Sequence, residues 1–330
     1  MPQYHWTGTV LWIVALALVV WTLSQMPIAE IGITLRELTW VDWSAWLLVN
    51  ILVIVVGNLR WLTLTRMVGG AVGFIRLLLI RQAGQTVSFI TPGPQFGGEP
   101  LQIYWLYKHT GMAIHRAVLA LGLDRFFELW INFLMLILGV SLLMLWVPSI
   151  NGLESDTSNW QRILWIISAA LLLLSVLAVL TLKQPALISR QLEKLSARWL
   201  SSPRLTSLDD HWQSLGSDLR TAIRSQKPAL FAALMYSFAG WALIVFEMWL
   251  VVGFFEIQLQ TRELILILVA MRLALLLPLP GGIGTLEASV FWSFQALGLP
   301  ASAALGLMAI MRFRDALVLI AGLLCARLLR

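Results

Sequence analysis

Several stretches of this chain, among them 10–23, 129–147, 163–182 and 316–324, are apolar and almost free of charge. A helix needs roughly 20 apolar residues to cross a bilayer, and only helices or closed barrels satisfy their backbone hydrogen bonds there. The runs lack the alternation of a barrel strand, so the helical reading wins. Charge agrees with it: 12% of the 330 residues are charged and 59% hydrophobic, about half the charged fraction of a soluble domain. The sequence therefore reads as an all-α integral membrane protein, a single polytopic domain over 1–330. About six full transmembrane helices are expected, near 8–25, 43–66, 118–147, 160–182, 228–255 and 302–327. The first lacks a basic leader and a clear cleavage site, so it is expected to be a retained span and not a signal peptide.

Net charge is +6 and the isoelectric point is near 10. Most of the basic residues fall between apolar runs, which the positive-inside rule explains without a nucleic-acid partner. Arg60, Arg66, Arg76 and Arg81 follow the second span with no acid among them, which places that stretch in the cytoplasm. The loop 183–227 carries eight basic residues against Glu193, Asp209, Asp210 and Asp218 and reads as a cytoplasmic amphipathic segment. It either lies on the membrane surface or is a solvated connector. The loops holding Glu30, Glu37 and Asp42, and Glu154 and Asp156, face outward. Both termini are then cytoplasmic. Trp40, Trp43, Trp146 and Trp160 sit near the expected interfaces, as an aromatic belt requires. The single cysteine, Cys325, excludes an intrachain disulfide, and the four histidines lack metal-ligand spacing. No metal and no cofactor are expected.

Two segments, 83–109 and 263–300, are broken too often by Pro and Gly to be single helices. Each must return to the side it left, so each is expected to be a re-entrant hairpin with a broken tip. The tips match. Pro92-Gly93 is followed, after five residues, by Glu99, and Pro280-Gly281 in the same way by Glu287. Further on, Gly111 precedes Arg125 as Gly298 precedes Arg312. Repeat unit one, about 43–147, and unit two, about 228–327, would then be related as an inverted repeat, the construction of many secondary transporters. Chance spacing of two Pro-Gly loops is the alternative.

Half-helices that meet inside a membrane leave backbone N–H groups unpaired. Gly97-Gly98 and Gly281-Gly282 let the backbone turn and approach a ligand. Pro100 suits a helix start, and Thr285 is a candidate cap for the second half-helix. Helix N-termini facing the membrane centre would cradle an anion such as phosphate. Glu99 and Glu287 would oppose that anion, so each is expected to pair with a cation or to take part in coupling. Arg125, Arg312 and Arg272, all inside apolar sequence, are the candidate partners. A purely structural ion pair between hairpin and span is the competing reading. Glu247 is an intramembrane acid with no evident partner; Arg60 and Arg81 are expected to anchor at the cytoplasmic interface, with headgroup contact there as the alternative.

Ser88-Phe89-Ile90-Thr91-Pro92-Gly93, Gly97-Gly98-Glu99-Pro100, Asp124-Arg125, Leu279-Pro280-Gly281-Gly282-Ile283-Gly284, Glu287 and Arg312 together resemble a known family. It is the flippase-like family related to the transmembrane region of lysylphosphatidylglycerol synthases. The resemblance covers nearly the whole chain. It implies a bacterial inner (plasma) membrane protein that translocates anionic or aminoacylated lipids, or lipid-linked glycan precursors. The motif glycines, glutamates and arginines would line the headgroup cavity. One departure is Gln102, where members often carry a basic residue; another is that no aminoacyl-transfer domain is expected, so the synthase activity itself should be absent.

The leading expectation is a lipid flippase or scramblase. Its partner would be an anionic phospholipid or a polyprenyl-phosphate-linked lipid, with the headgroup held between the two tips. A non-transporting accessory subunit that presents lipid to a lipid- or glycan-modifying enzyme is the alternative, and a small-ion transporter a further one. An enzyme is not expected, because no nucleophile stands beside a base and no acidic metal cluster occurs. No phosphate-binding GxxxxGK[ST] loop appears either, which disfavours direct use of ATP. The oligomeric state stays open, a homo-oligomer included.

Overall fold

Where the apolar runs exceed about 25 residues the chain forms one continuous helix, and where Pro and Gly interrupt them it forms pairs of short ones. The computed structural model describes residues 38–91, 97–146, 157–183, 225–277 and 280–329. The expected first span, most of the 183–227 loop and most of both acidic outer loops lie outside the described residues. Among the described residues there are nine α-helices and no strand. They are α1 (Trp40–Met67), α2 (Phe74–Ile90), α3 (Glu99–Thr110), α4 (Ile114–Trp146), α5 (Thr157–Lys183), α6 (Lys227–Gly253), α7 (Thr261–Ala274), α8 (Thr285–Ala296) and α9 (Ala301–Leu328).

Three of these are long and apolar enough to cross a membrane: α1, α4 over Ile114–Leu145, and α6. Helix α1 starts at a capping box in which Asp42 N donates to Thr39 Oγ1 and Thr39 N donates to Asp42 Oδ2. Helix α9 is as long as α1, at 28 residues, but carries Arg312, Arg314 and Asp315 near its middle. Helix α5 has 27 residues, and four others differ in kind. Helices α2, α3, α7 and α8 have 17, 12, 14 and 12 residues, about 18–26 Å at 1.5 Å per residue, against a hydrocarbon core of about 30 Å. Between α7 and α8 lies a single 3-10 turn, Pro280–Gly282, with Gly281 at φ 58°.

The surface is inverted relative to a soluble protein. Leu48, Ile51, Leu138, Leu172, Phe231, Trp249 and Leu324 are exposed, while Asn58, Arg60, Arg81, Gln82, Gln102, Asp124 and Glu247 are buried. Contiguous exposed apolar area on this scale suits a lipid environment. The chain is a multi-pass α-helical membrane protein.

Among the described residues there are three apolar cores, one of which joins α4, α5 and α7 through Val140, Ile167 and Val269; the other two follow the halves of the chain. One gathers Trp61, Leu77, Leu106 and Ala120 from α1 to α4; the other gathers Val252, Ile267, Phe294 and Leu307 from α6 to α9. Helices α1 and α6 run antiparallel, since Asn50 meets Glu247 while Arg60 meets Ser237. Three pairings recur when α1–α4 are exchanged for α6–α9. Helix α2 packs on α9 as α7 packs on α4; α2 lies on α3 as α7 on α8; α3 lies on α4 as α8 on α9. The exchanged pairs are close: a Cβ on Gly322 of α9 would strike Thr86 of α2, and one on Gly139 of α4 would strike Val269 of α7.

Close approach also fixes the arms of the first hairpin. A Cβ on Gly98 would overlap the carbonyl oxygen of Gly84 on α2, and Gly98 N donates to Ser88 Oγ at 2.9 Å. Gly98→Ala should therefore lower stability by about 1–3 kcal/mol through forced separation of the arms. Gly122→Ala, where a Cβ meets nothing within 4 Å, should be neutral or slightly stabilising. Thermal unfolding of the two variants in detergent checks this; equal midpoints would refute it.

Candidate functional site

Each hairpin glutamate sits in the first turn of its own helix and reaches an arginine on the following long helix. Glu99 Oε2 accepts from Gly97 N at 2.6 Å, and its Oε1 faces Arg125 Nε at 3.2 Å. Arg125 Nη1 also donates to Glu128 Oε2 at 3.0 Å, three residues along α4. In the second half, Glu287 Oε2 accepts from Gly284 N at 2.8 Å, and Oε1 accepts from Arg312 Nε at 2.7 Å and from its Nη2. Arg312 Nη1 donates to Asp315 Oδ2 at 2.9 Å, again three residues along, and to Gly281 O at 3.2 Å. The same wiring therefore occurs twice: tip amide, glutamate, arginine, and an acid at i+3.

This wiring changes the expected use of the tips. The N-terminal amides of Gly97 and Gly284 are occupied by the protein's own carboxylates and are not left open for a foreign anion. Thr285 is not the cap: Gly284 holds that position, and the Thr285 hydroxyl donates to Ala274 O and Gly282 O. Gly281 and Gly282, at φ 58° and 64°, make the turn. A Cβ on Gly281 would come within 2.6 Å of the Phe89 ring of α2, so the second tip packs directly against the first hairpin.

A cavity of about 250 Å³ lies along the first arms, lined by α1, α2, α4, α6 and α7. Four guanidinium groups line it, from Arg60, Arg81, Arg125 and Arg272, together with the carboxylate of Glu128. Of the nine residues expected from sequence to bind substrate, Arg125 and Arg272 are on this wall. Gly97, Gly98, Glu99, Gly281, Gly282, Glu287 and Arg312 lie off this wall, in the wiring and turns described above.

Arg60 and Arg81 do not reach for the interface. Arg60 lies about two turns inside α1, and the two side chains are 8% and 9% exposed. Both are bound to Asp124, itself 1% exposed: Arg60 Nε donates to Oδ1 at 2.7 Å and Arg81 Nη1 to Oδ2 at 3.0 Å. Arg60 Nη2 also donates to Glu128 Oε2 at 3.2 Å. Arg272 pairs with neither hairpin glutamate; its guanidinium lies over the Trp241 ring, 4.9 Å from the centroid. Glu247 does have partners, Arg314 at 3.3 Å and Asn50 at 3.1 Å. Gln82 and Tyr236 also line the cavity, and nothing in the sequence marks them; Asp124 beside Arg125 in apolar sequence does signal a buried cluster, being an acid that must find cations.

The paired wiring predicts coupling. Glu287→Gln and Arg312→Gln should be non-additive, with an interaction energy of about 1–3 kcal/mol in a double-mutant cycle of unfolding. Additive losses would mean that the contact carries no stability.

The sequence model of the family described as the lysylphosphatidylglycerol synthase TM region matches residues 9–322. The chain is also similar to a UPF0104 membrane protein of Methanothermobacter thermautotrophicus, 22% identical over 260 residues, covering 75% of this chain and 73% of that protein. No solved structure matches.

Proposed function

The chain belongs to the family of the lysylphosphatidylglycerol synthase transmembrane region, and we propose that it moves an anionic lipid between leaflets as a flippase or scramblase. The observation that carries this reading is the cavity with four arginines inside an otherwise apolar bundle. Guanidinium forks match phosphate oxygens, and the acyl chains can remain in the surrounding lipid.

The carboxylates of Asp124, Glu128 and Glu99 offset the cost of holding three of those arginines in the membrane. The cavity wall draws α1 and α2 from one half and α6 and α7 from the other. Rocking one half against the other would expose the site to each leaflet in turn, as in inverted-repeat transporters. In this reading α2–α3 and α7–α8 are re-entrant hairpins entering from opposite faces. The protein sits in the inner membrane with both termini in the cytoplasm and performs no covalent chemistry.

The test is a vesicle assay with purified protein, acyl-labelled phosphatidylglycerol and an external quencher. Protein-dependent loss of the protected inner-leaflet signal is expected. Folded protein that binds the lipid but moves none would favour the lipid-presenting accessory subunit instead.

A further inference from the structure

Building on the lipid-moving reading, we infer that the cavity selects by charge: it takes a phosphate headgroup with no net positive charge, gripped by Arg272 and Gln82, and rejects aminoacylated ones.

Two groups on its wall have hydrogen-bonding capacity to spare. Among the described residues, Arg272 has no carboxylate within ion-pairing distance; its recorded partner is the Trp241 ring face. Gln82 is 6% exposed, and its carboxamide Nε2 has no hydrogen-bond partner. Both line the same cavity, and both are donors. A buried donor left unmet is costly, so the ligand that completes this site must bring acceptor oxygens. A phosphodiester supplies them and adds the negative charge that Arg272 lacks.

The wall is equally informative about what it repels. Among the described residues Glu128 is the one carboxylate lining the cavity, and it already accepts from Arg60 and Arg125. A lysyl ammonium entering here would meet Arg272, which has no carboxylate within ion-pairing distance to offset it, and three further guanidinium groups whose carboxylates are already engaged, an arrangement that disfavours the wrong partner. Size is compatible: about 250 Å³, or about eight water volumes at roughly 30 Å³ each, holds a phosphate with a glycerol-sized headgroup.

Binding and movement are read separately on the full chain: native mass spectrometry in detergent for binding, the vesicle assay for movement. The probes are phosphatidylglycerol and lysyl-phosphatidylglycerol. Phosphatidylglycerol should bind at least about tenfold more tightly than its lysyl ester. Arg272→Ala should weaken phosphatidylglycerol binding by about tenfold or more, with Arg272→Lys recovering part of it. Gln82→Leu should weaken it less. Equal binding of the two lipids overturns the inference, and so does unchanged phosphatidylglycerol binding in both Arg272→Ala and Gln82→Leu, even if lipid moves. Binding of neither lipid overturns it too. Selective, Arg272-dependent binding with no movement upholds it and removes the transport reading instead.

Discussion

Asp124→Asn should destabilise the protein by about 3–5 kcal/mol, the loss typical of removing one partner from a buried ion pair. Both oxygens of Asp124 are committed, one to Arg60 and one to Arg81, and its side chain is 1% exposed. Asparagine keeps one acceptor but turns an NH₂ group toward a guanidinium and removes the charge that offsets two buried cations. Arg60 retains Glu128 as a partner. Arg81 has no second carboxylate within ion-pairing distance among the described residues, so its burial becomes the larger part of the cost. Thermal unfolding in detergent, followed by tryptophan fluorescence, reads the effect against Lys108→Ala, an exposed site. A midpoint equal to that control would show that the cluster does not hold the first half together.

The contrast between Asp124 and its neighbours explains what the sequence could reveal. Long helices are legible because a bilayer demands a long apolar run, and α1, α4 and α6 answer that demand directly. The need for Glu99 and Glu287 to meet cations is legible for a similar reason, since no unpaired charge is stable in lipid. Which cation meets which acid is not legible. Arg60 and Asp124 stand 64 positions apart, and Glu247 and Arg314 stand 67 apart; helix crossing decides such pairs, and spacing carries no trace of it. Arg60 read as an interfacial anchor because the charged residues begin there, yet α1 continues to Met67. The glycines pose a different difficulty. Close approach to a ligand and close approach to another helix both forbid a Cβ, so Gly98 against Gly84 and Gly281 against Phe89 look alike in sequence.

The same geometry separates two arginines that the sequence treats as equivalent. Arg125→Ala should slow lipid movement by about tenfold to a hundredfold, the loss of one charge-assisted fork at roughly 1.4 kcal/mol per factor of ten. The variant should still fold. Glu128 keeps Arg60, and Glu99 keeps the Gly97 amide, so neither acid is stranded as Arg81 is when Asp124 is lost. Arg125→Lys restores the charge without the fork and should recover part of the rate. Arg312 has the same wiring in the second half, but it does not line the cavity. Arg312→Ala should therefore lower the unfolding midpoint while reducing lipid movement far less than Arg125→Ala does. If substrate were held between the two tips, the two variants would fail alike in the vesicle assay. Equal loss of movement at matched stability would thus return the site to the tips, whereas loss confined to Arg125 assigns it to the cavity along α2 and α7.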